Sequence, residues 1–197
     1  MSMATAVRRS TRTAIVQAAW QLFRARGYQD TTMEEIIEAA GVSRGTFYHH
    51  FHGKDALLSS LSELFDEEYR TLEPQLDDLP TAGERLLFLN RELFAMIDED
   101  VPVELLASLY SSQLETKGDR HLLDRNRLYY RLLDRIVSEG QLAGEIVSPP
   151  SSQEIVRVYA LCERALLYEW CITQGEPRLS DGATDLMAQF MAPYIVG

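Results

Sequence analysis

Apolar residues recur at helical spacing along almost the whole chain. Ile15, Ala18, Ala19, Leu22 and Phe23 fall at i, i+3, i+4, i+7 and i+8, the stripe of an amphipathic helix, and Gly27 is placed to end it. Thr32 and Glu35 have the spacing of a capping box for a second helix, whose Met33, Ile36, Ile37 and Ala40 form one apolar face before Gly41 stops it. Ser43 then caps a third helix, with Val42 and Phe47 set as a hydrophobic staple. A fourth helix is predicted over 54–72, ending before Pro74. Others follow over 82–98, 102–116 and 120–139, with Pro102 in a first turn and Gly118 and Gly140 as stops. Beyond Pro149 and Pro150, Ser151 and Glu154 box the start of a long helix to about 174. Ser180 caps a last one, bent at Pro193. No stretch sustains the alternation of a strand. The pattern predicts an all-α fold of about nine helices, a three-helix unit over 1–53 followed by a helical body over 54–197.

Charge divides at the same point. The net charge is −11, yet residues 1–54 carry seven Lys and Arg against four Asp and Glu, 7 − 4 = +3, which leaves −14 for the remainder. A basic head on an acidic body admits contact with a polyanion only at the head. No apolar run approaches the roughly 18 residues that span a bilayer. The arginine-bearing start lacks the apolar stretch of a signal peptide. Cys162 and Cys171 fall on opposite faces of one predicted helix, about 13.5 Å apart along its axis, so they cannot bond to each other. A soluble, cytoplasmic protein is expected.

The most unusual stretch is SRGTFYHHFHGK at 43–54. On a wheel of 100° per residue, Phe47 and Phe51 point together into the three-helix core, while Gly45 and His49 face away, flanked by Thr46 and Tyr48. Arg44 sits in the first turn. The outer face is polar and aromatic, and it has no carboxylate. Glycine inside a helix costs roughly 0.5–1 kcal/mol relative to alanine. Close approach of this backbone to a DNA groove would account for it. Arg44 suits a guanine edge or a phosphate, His49 a base edge, and Tyr48, Thr46 and Lys54 the phosphate backbone. Arg8, Arg9 and Arg12 read equally as a solvated tail or as an arm that clamps DNA.

The run from Thr13 to Leu58 resembles the DNA-binding domain of tetracycline-repressor-type (TetR) regulators. The matching parts are G-Y-x-x-T-T before the second helix, the A-G-V-S turn, G-T-F-Y-H-H-F in the third helix and K-D-A-L-L at the start of the fourth. His52–Gly53 departs from the commoner proline or asparagine with serine. The resemblance implies that Thr31, Thr32, Tyr48 and Lys54 contact phosphates, and that Arg44, Gly45, Thr46 and His49 face the major groove of a palindromic operator. It also implies a homodimer and a small-molecule effector that releases a repressor from DNA. A helical ligand-sensing adaptor, or a metal-binding protein without operator binding, is the alternative. His49 and His52 share a face, but no third ligand completes a metal site, and no catalytic or cofactor motif appears. Neither enzyme activity nor a cofactor is expected.

In the body, the helix over 152–174 is apolar nearly all round, so it needs cover on two sides. Leu167 and Cys171, with Met187 and Phe190 of the last helix, are expected at a two-fold interface. Phe94, Tyr110, Tyr130, Tyr159 and Trp170 are the candidates for an effector cavity. Aromatic residues at helical spacing also serve as plain core, and both readings stand. Leu61, Leu64 and Phe65 would pack the fourth helix into the body, making it the link between effector and head.

Overall fold

The computed structural model describes residues 3–58, 60–115 and 121–196; the side chains of 3–10, 55, 61 and 121 are outside that description. The side chains of Arg8, Arg9 and Leu61, and the stop expected at Gly118, therefore lie outside the described residues.

The head is made of α1 (Met3–Arg26), α2 (Met33–Ala39) and α3 (Arg44–His50). The capping box of Thr32 and Glu35 is present, and the Ser43 hydroxyl accepts the Thr46 N–H. Ile15, Phe23, Tyr28, Ile36, Phe47 and Phe51 are buried together, so the stripes that the sequence shows are the ones that meet.

The helix expected over 54–72 comes in two pieces, α4 (Lys54–Leu58) and α5 (Leu61–Leu72). The Ser60 N–H bonds to the Leu57 carbonyl three residues back, and the Ser60 hydroxyl donates to that same carbonyl. A serine that competes for a helix carbonyl in this way interrupts the ladder.

The body continues with α6 (Ala82–Asp100), α7 (Val103–Glu115), α8 (Leu128–Ala143), α9 (Ser152–Ile172) and α10 (Ala183–Met191). Helix α8 packs on α5, α6 and α9, while α10 lies across α6 and α9 and α7 packs on α9 and α4. Capping boxes at Thr81–Glu84 and Ser151–Glu154 open α6 and α9. Among the described residues the only β pairing is an isolated bridge between Ile146 and Ile195. Head and body share one continuous apolar core.

Two contacts reinforce the junction: Arg24 pairs with Asp100 at 2.8 Å, and Arg12 pairs with Glu63 while lying over the Phe51 ring at 5.1 Å. Arg12 is thus neither a solvated tail nor a free arm; it joins α1 to α5.

Gly140 is not the stop it was expected to be. Helix α8 runs past it and ends at Gly144, whose φ of 75° is left-handed. A Cβ on Gly140 would lie 2.6 Å from the Ala82 Cβ and 2.9 Å from Ile146 Cδ1, so the glycine allows α6 to start against α8. We predict that Gly140→Ala destabilises the protein by about 1–3 kcal/mol, the usual cost of overpacking. Urea unfolding of the variant checks this; unchanged stability would show that the contact yields freely.

Candidate functional site

Helices α2 and α3 are joined by a turn in which Gly41 takes a left-handed φ of 64° that favours glycine. The turn presents α3 with its apolar side inward. Arg44, Gly45, Tyr48 and His49 are exposed, and Thr46 is half-buried. Arg44 pairs with Glu34 of α2, both side chains about two-thirds exposed (67% and 64%). The Thr46 hydroxyl is 2.8 Å from that of Ser43. The Tyr48 ring stands edge-on to Phe47 with centroids 5.5 Å apart, and His49 meets His50 in the same manner at 5.3 Å. A Cβ placed on Gly45 would meet nothing nearer than the Ser43 hydroxyl oxygen at 3.9 Å.

Two of the expected phosphate contacts are engaged within the chain. Thr31 is buried, and its hydroxyl donates to the Gly27 carbonyl at 2.8 Å, so it has no proton to offer a phosphate. Lys54 is committed as well. Its ammonium donates to the carbonyls of Tyr28 (2.7 Å), Thr31 (3.0 Å) and Gln29 (3.3 Å), and it lies 4.3 Å from the centre of the Tyr28 ring. An ammonium has three protons, and all three are used. Lys54 is a clamp between α4 and the turn that leads from α1 to α2. Thr32, the N-cap of α2, is exposed, with its hydroxyl on Glu35 at 2.9 Å; the Thr32 backbone N–H and then this hydroxyl hold the Glu35 carboxyl below its usual pKa.

The body holds a partly open cavity of about 40 Å³, walled by Phe65 and Tyr69 of α5, Tyr110 of α7, Tyr129 of α8 and aliphatic residues of α6 and α7. Glu163 and Arg164 of α9 and Arg127 just before α8 also reach it. Glu163 is buried, and burial raises its carboxyl pKa against the opposing pull of hydrogen bonds from Tyr129 and Asn90. Asn90 Nδ2 donates to Glu163 Oε2 at 3.3 Å, while Asn90 Oδ1 is buried without a hydrogen-bond partner in the chain. Arg127 donates to Asp66 Oδ1 and to the Ser62 carbonyl, each at 2.9 Å. Arg164 donates to the Tyr130 hydroxyl at 3.2 Å.

Of the five aromatics expected around a cavity, Tyr110 alone lines this one. Tyr130 stands just behind it, its hydroxyl on the Leu122 carbonyl at 3.2 Å. Phe94 and Tyr159 are plain core, the latter with its hydroxyl on the Leu86 carbonyl at 3.0 Å. Trp170 borders a separate, more open groove of about 270 Å³ beside Leu179 and Leu186. The signal that was available is Glu163, four residues after Tyr159 on the otherwise apolar inward face of α9.

The expected interface also turns over. Leu167, Cys171 and Met187 are buried within the chain, and only Phe190 is exposed. The outward residues are Leu161, Tyr168 and Ile172 of α9 with Leu186 and Phe190 of α10, an apolar face that the other described residues leave exposed. Both cysteines are free. Among the described residues, no three His, Cys, Asp or Glu side chains converge as a metal site requires, and no helix is long and apolar enough to cross a membrane.

A capped helix pair that buries Phe47 and Phe51 and turns a polar, carboxylate-free helix face outward defines a helix-turn-helix protein. The profile of the family described as bacterial regulatory proteins, tetR family, matches residues 15–61. The transcriptional regulator TtgR of Pseudomonas putida is 32% identical over 149 residues, spanning 69% of this chain and 70% of that protein. The fatty acid metabolism regulator protein of Bacillus subtilis (strain 168) is 27% identical over 133 residues, 67% of this chain and 69% of its own. Among solved structures, Thermus thermophilus FadR in complex with lauroyl-CoA superposes with a TM-score of 0.73 at 27% identity, covering 94% of this chain and 96% of that one. The chain belongs to the TetR family of transcriptional regulators.

The Lys54 clamp yields a direct prediction. Lys54→Met keeps the aliphatic stem but leaves three carbonyls without their donor, and should cost about 1–3 kcal/mol, the range for bonds to a charged group. Hydrogen exchange should quicken over 27–33 and 54–58 before the body is affected. Unchanged protection there would mean that the ammonium is free to serve elsewhere.

Proposed function

We propose that the chain is a homodimeric repressor that reads a palindromic operator with α3 and leaves it when a small molecule occupies the body. Residues 1–53 form the DNA-binding domain and 54–197 the effector and dimerisation domain, in the cytoplasm. The observation that carries the DNA reading is Gly45. The helix bears the cost of a central glycine although its own packing has room for a Cβ, so the demand for a bare backbone comes from outside the molecule. Arg44 supports it: an exposed pair such as Arg44–Glu34 is worth about 0–1 kcal/mol, so the guanidinium moves to a guanine edge or phosphate at little cost. Thr46 and His49 join it in the groove, and Tyr48 and Thr32 meet the phosphate backbone, the Thr32 hydroxyl exchanging its exposed Glu35 partner as Arg44 exchanges Glu34.

Effector control rests on the cavity. The Thermus thermophilus relative is named a transcriptional repressor and was solved with lauroyl-CoA, and Bacillus subtilis FadR with stearoyl-CoA. At about 40 Å³ the cavity here is far smaller than the roughly 150 Å³ that admits a benzene ring. An effector therefore displaces a wall, and the wall formed by Phe65 and Tyr69 belongs to α5, which leads through α4 to the head. The apolar face of α9 and α10 supports the dimer, with two copies closing it across a two-fold axis and setting their recognition helices in successive major grooves.

Gly45→Ala separates DNA binding from stability. It should raise stability by about 0.5–1 kcal/mol and weaken operator binding, with both read by thermal melting and a gel-shift titration. Tyr48→Ala and His49→Ala should lower operator affinity with little change in melting. Full operator affinity in all three variants would remove α3 as the reading element.

The dimer has its own test. Tyr168→Glu with Phe190→Glu places charge on the outer face only, and should yield folded monomers by light scattering. A monomeric unmodified protein would end the dimer proposal.

A further inference from the structure

Resting on the reading of this cavity as the effector site, we propose that the effector carries an uncharged hydrogen-bond acceptor, a carbonyl oxygen, which the Tyr110 hydroxyl receives beside Arg164. The unspent polar groups of the wall are donors. Among the described residues the Tyr69 and Tyr110 hydroxyls make no hydrogen bond. Neither is sealed in the core, where the polar atoms without a partner are Asn90 Oδ1 and Trp170 Nε1. Both residues line the cavity, so their hydroxyls are reached from it. The neighbouring phenols are engaged: Tyr129 donates to Glu163, and Tyr130 to the Leu122 carbonyl. A phenol gives its proton readily and accepts poorly, because its lone pair is drawn into the ring. A purely apolar occupant would take water from these hydroxyls and return nothing.

Arg164 marks which of the two hydroxyls receives the acceptor. Arg127 is spent on Asp66 and the Ser62 carbonyl. Arg164 donates from one nitrogen to the Tyr130 hydroxyl at 3.2 Å and pairs with no carboxylate among the described residues, so part of its five-proton fork is unused. Tyr110 on α7 and Arg164 on α9 belong to helices that pack together. Burial raises the Tyr110 pKa, Glu163 adds to the rise and Arg164 opposes it, so both charges lie near a phenol that keeps its proton. Charge then favours a neutral acceptor. Arg127 and Asp66 cancel, and Glu163 is the countercharge of Arg164 in the same wall. A carboxylate would set a second anion beside Glu163, whose own carboxyl pKa burial already raises. A carbonyl oxygen accepts the proton and leaves the balance intact.

The test compares acetophenone, 1-phenylethanol, ethylbenzene and benzoate, which share one ring and attach to it a carbonyl, a hydroxyl, no polar group and a charged carboxylate. Each ring enters by the same displacement of α5, so the ratios report the attached group. Each compound is titrated into the full-length protein by ligand-detected NMR. Operator affinity at saturation is measured on a duplex that the unmodified protein selects from a random pool. Acetophenone should bind at least about tenfold more tightly than ethylbenzene, within the range for leaving a buried polar group unpaired, and more tightly than the other two. Y110F should shrink that ratio to about twofold while melting with the parent, because its hydroxyl has no partner in the chain to lose. Y69F, which removes the other unspent hydroxyl, should keep most of the ratio. A ratio lost in Y69F but kept in Y110F overturns the choice of Tyr110. A Y110F that melts far below the parent overturns it too, since the hydroxyl would then be bonded within the fold. Equal binding of acetophenone and ethylbenzene, or a preference for 1-phenylethanol or benzoate, overturns the acceptor assignment but leaves effector control in place. If none of the four binds and none moves operator affinity, the cavity is not an effector site, and this inference falls with that reading.

Discussion

Arg127 fixes the position of α5. Its guanidinium reaches both Asp66 oxygens, at 2.9 and 3.4 Å, and the Ser62 carbonyl, and the two charged side chains are only 10% and 15% exposed. A pair this sheltered cannot lose one partner cheaply, because the other charge is left without water. Arg127 also borders both the cavity and a cleft of about 320 Å³ between head and body, where Arg12, His50 and Phe51 meet Ser60 and Asp66. Whatever widens the cavity pushes on the helix that this arginine holds. That helix reaches the head through the break at Ser60 and the clamp at Lys54, so the chain has a rigid segment, a joint and an anchor in sequence.

The two proposed sites share a physical character. Gly45 gives up helix stability where the fold does not ask for it, and the cavity wall holds Glu163, a buried carboxyl where an apolar side chain would cost less. Sequences that break a local rule without an internal gain do so where something outside the molecule meets them. The outer face of α9 and α10 is a third such place: Tyr168 and Phe190 are, with Tyr48 of α3, the large rings left exposed among the described residues.

The head was legible residue by residue because everything that builds it is local. Caps lie three residues apart, stripes recur at three and four, and Phe47 and Phe51 share a face within one helix. What the sequence hid depends on distant partners. Lys54 reads as a free cation until the carbonyls 23 to 26 residues earlier are brought beside it. Gly140 reads as a stop, yet its reason is Ala82 on another helix. Helix α9 is apolar on nearly every side, so periodicity could not say which of Leu167 and Tyr168 faces in. The cavity is harder still, since five helices close it and no single stripe records their packing. Glu163 was the one local sign, a carboxylate on the inward side of that helix.

In the proposed mechanism, operator and effector oppose each other through the position of α5. The most direct measurement is the affinity of one effector, found by thermal-shift screening, with and without saturating operator, alongside operator affinity with and without that effector. Linkage requires both to weaken by the same factor, and a coupling of about 1–3 kcal/mol, or about 5- to 150-fold, is expected. An effector that occupies the cavity with the same affinity whether or not DNA is bound would contradict this coupling.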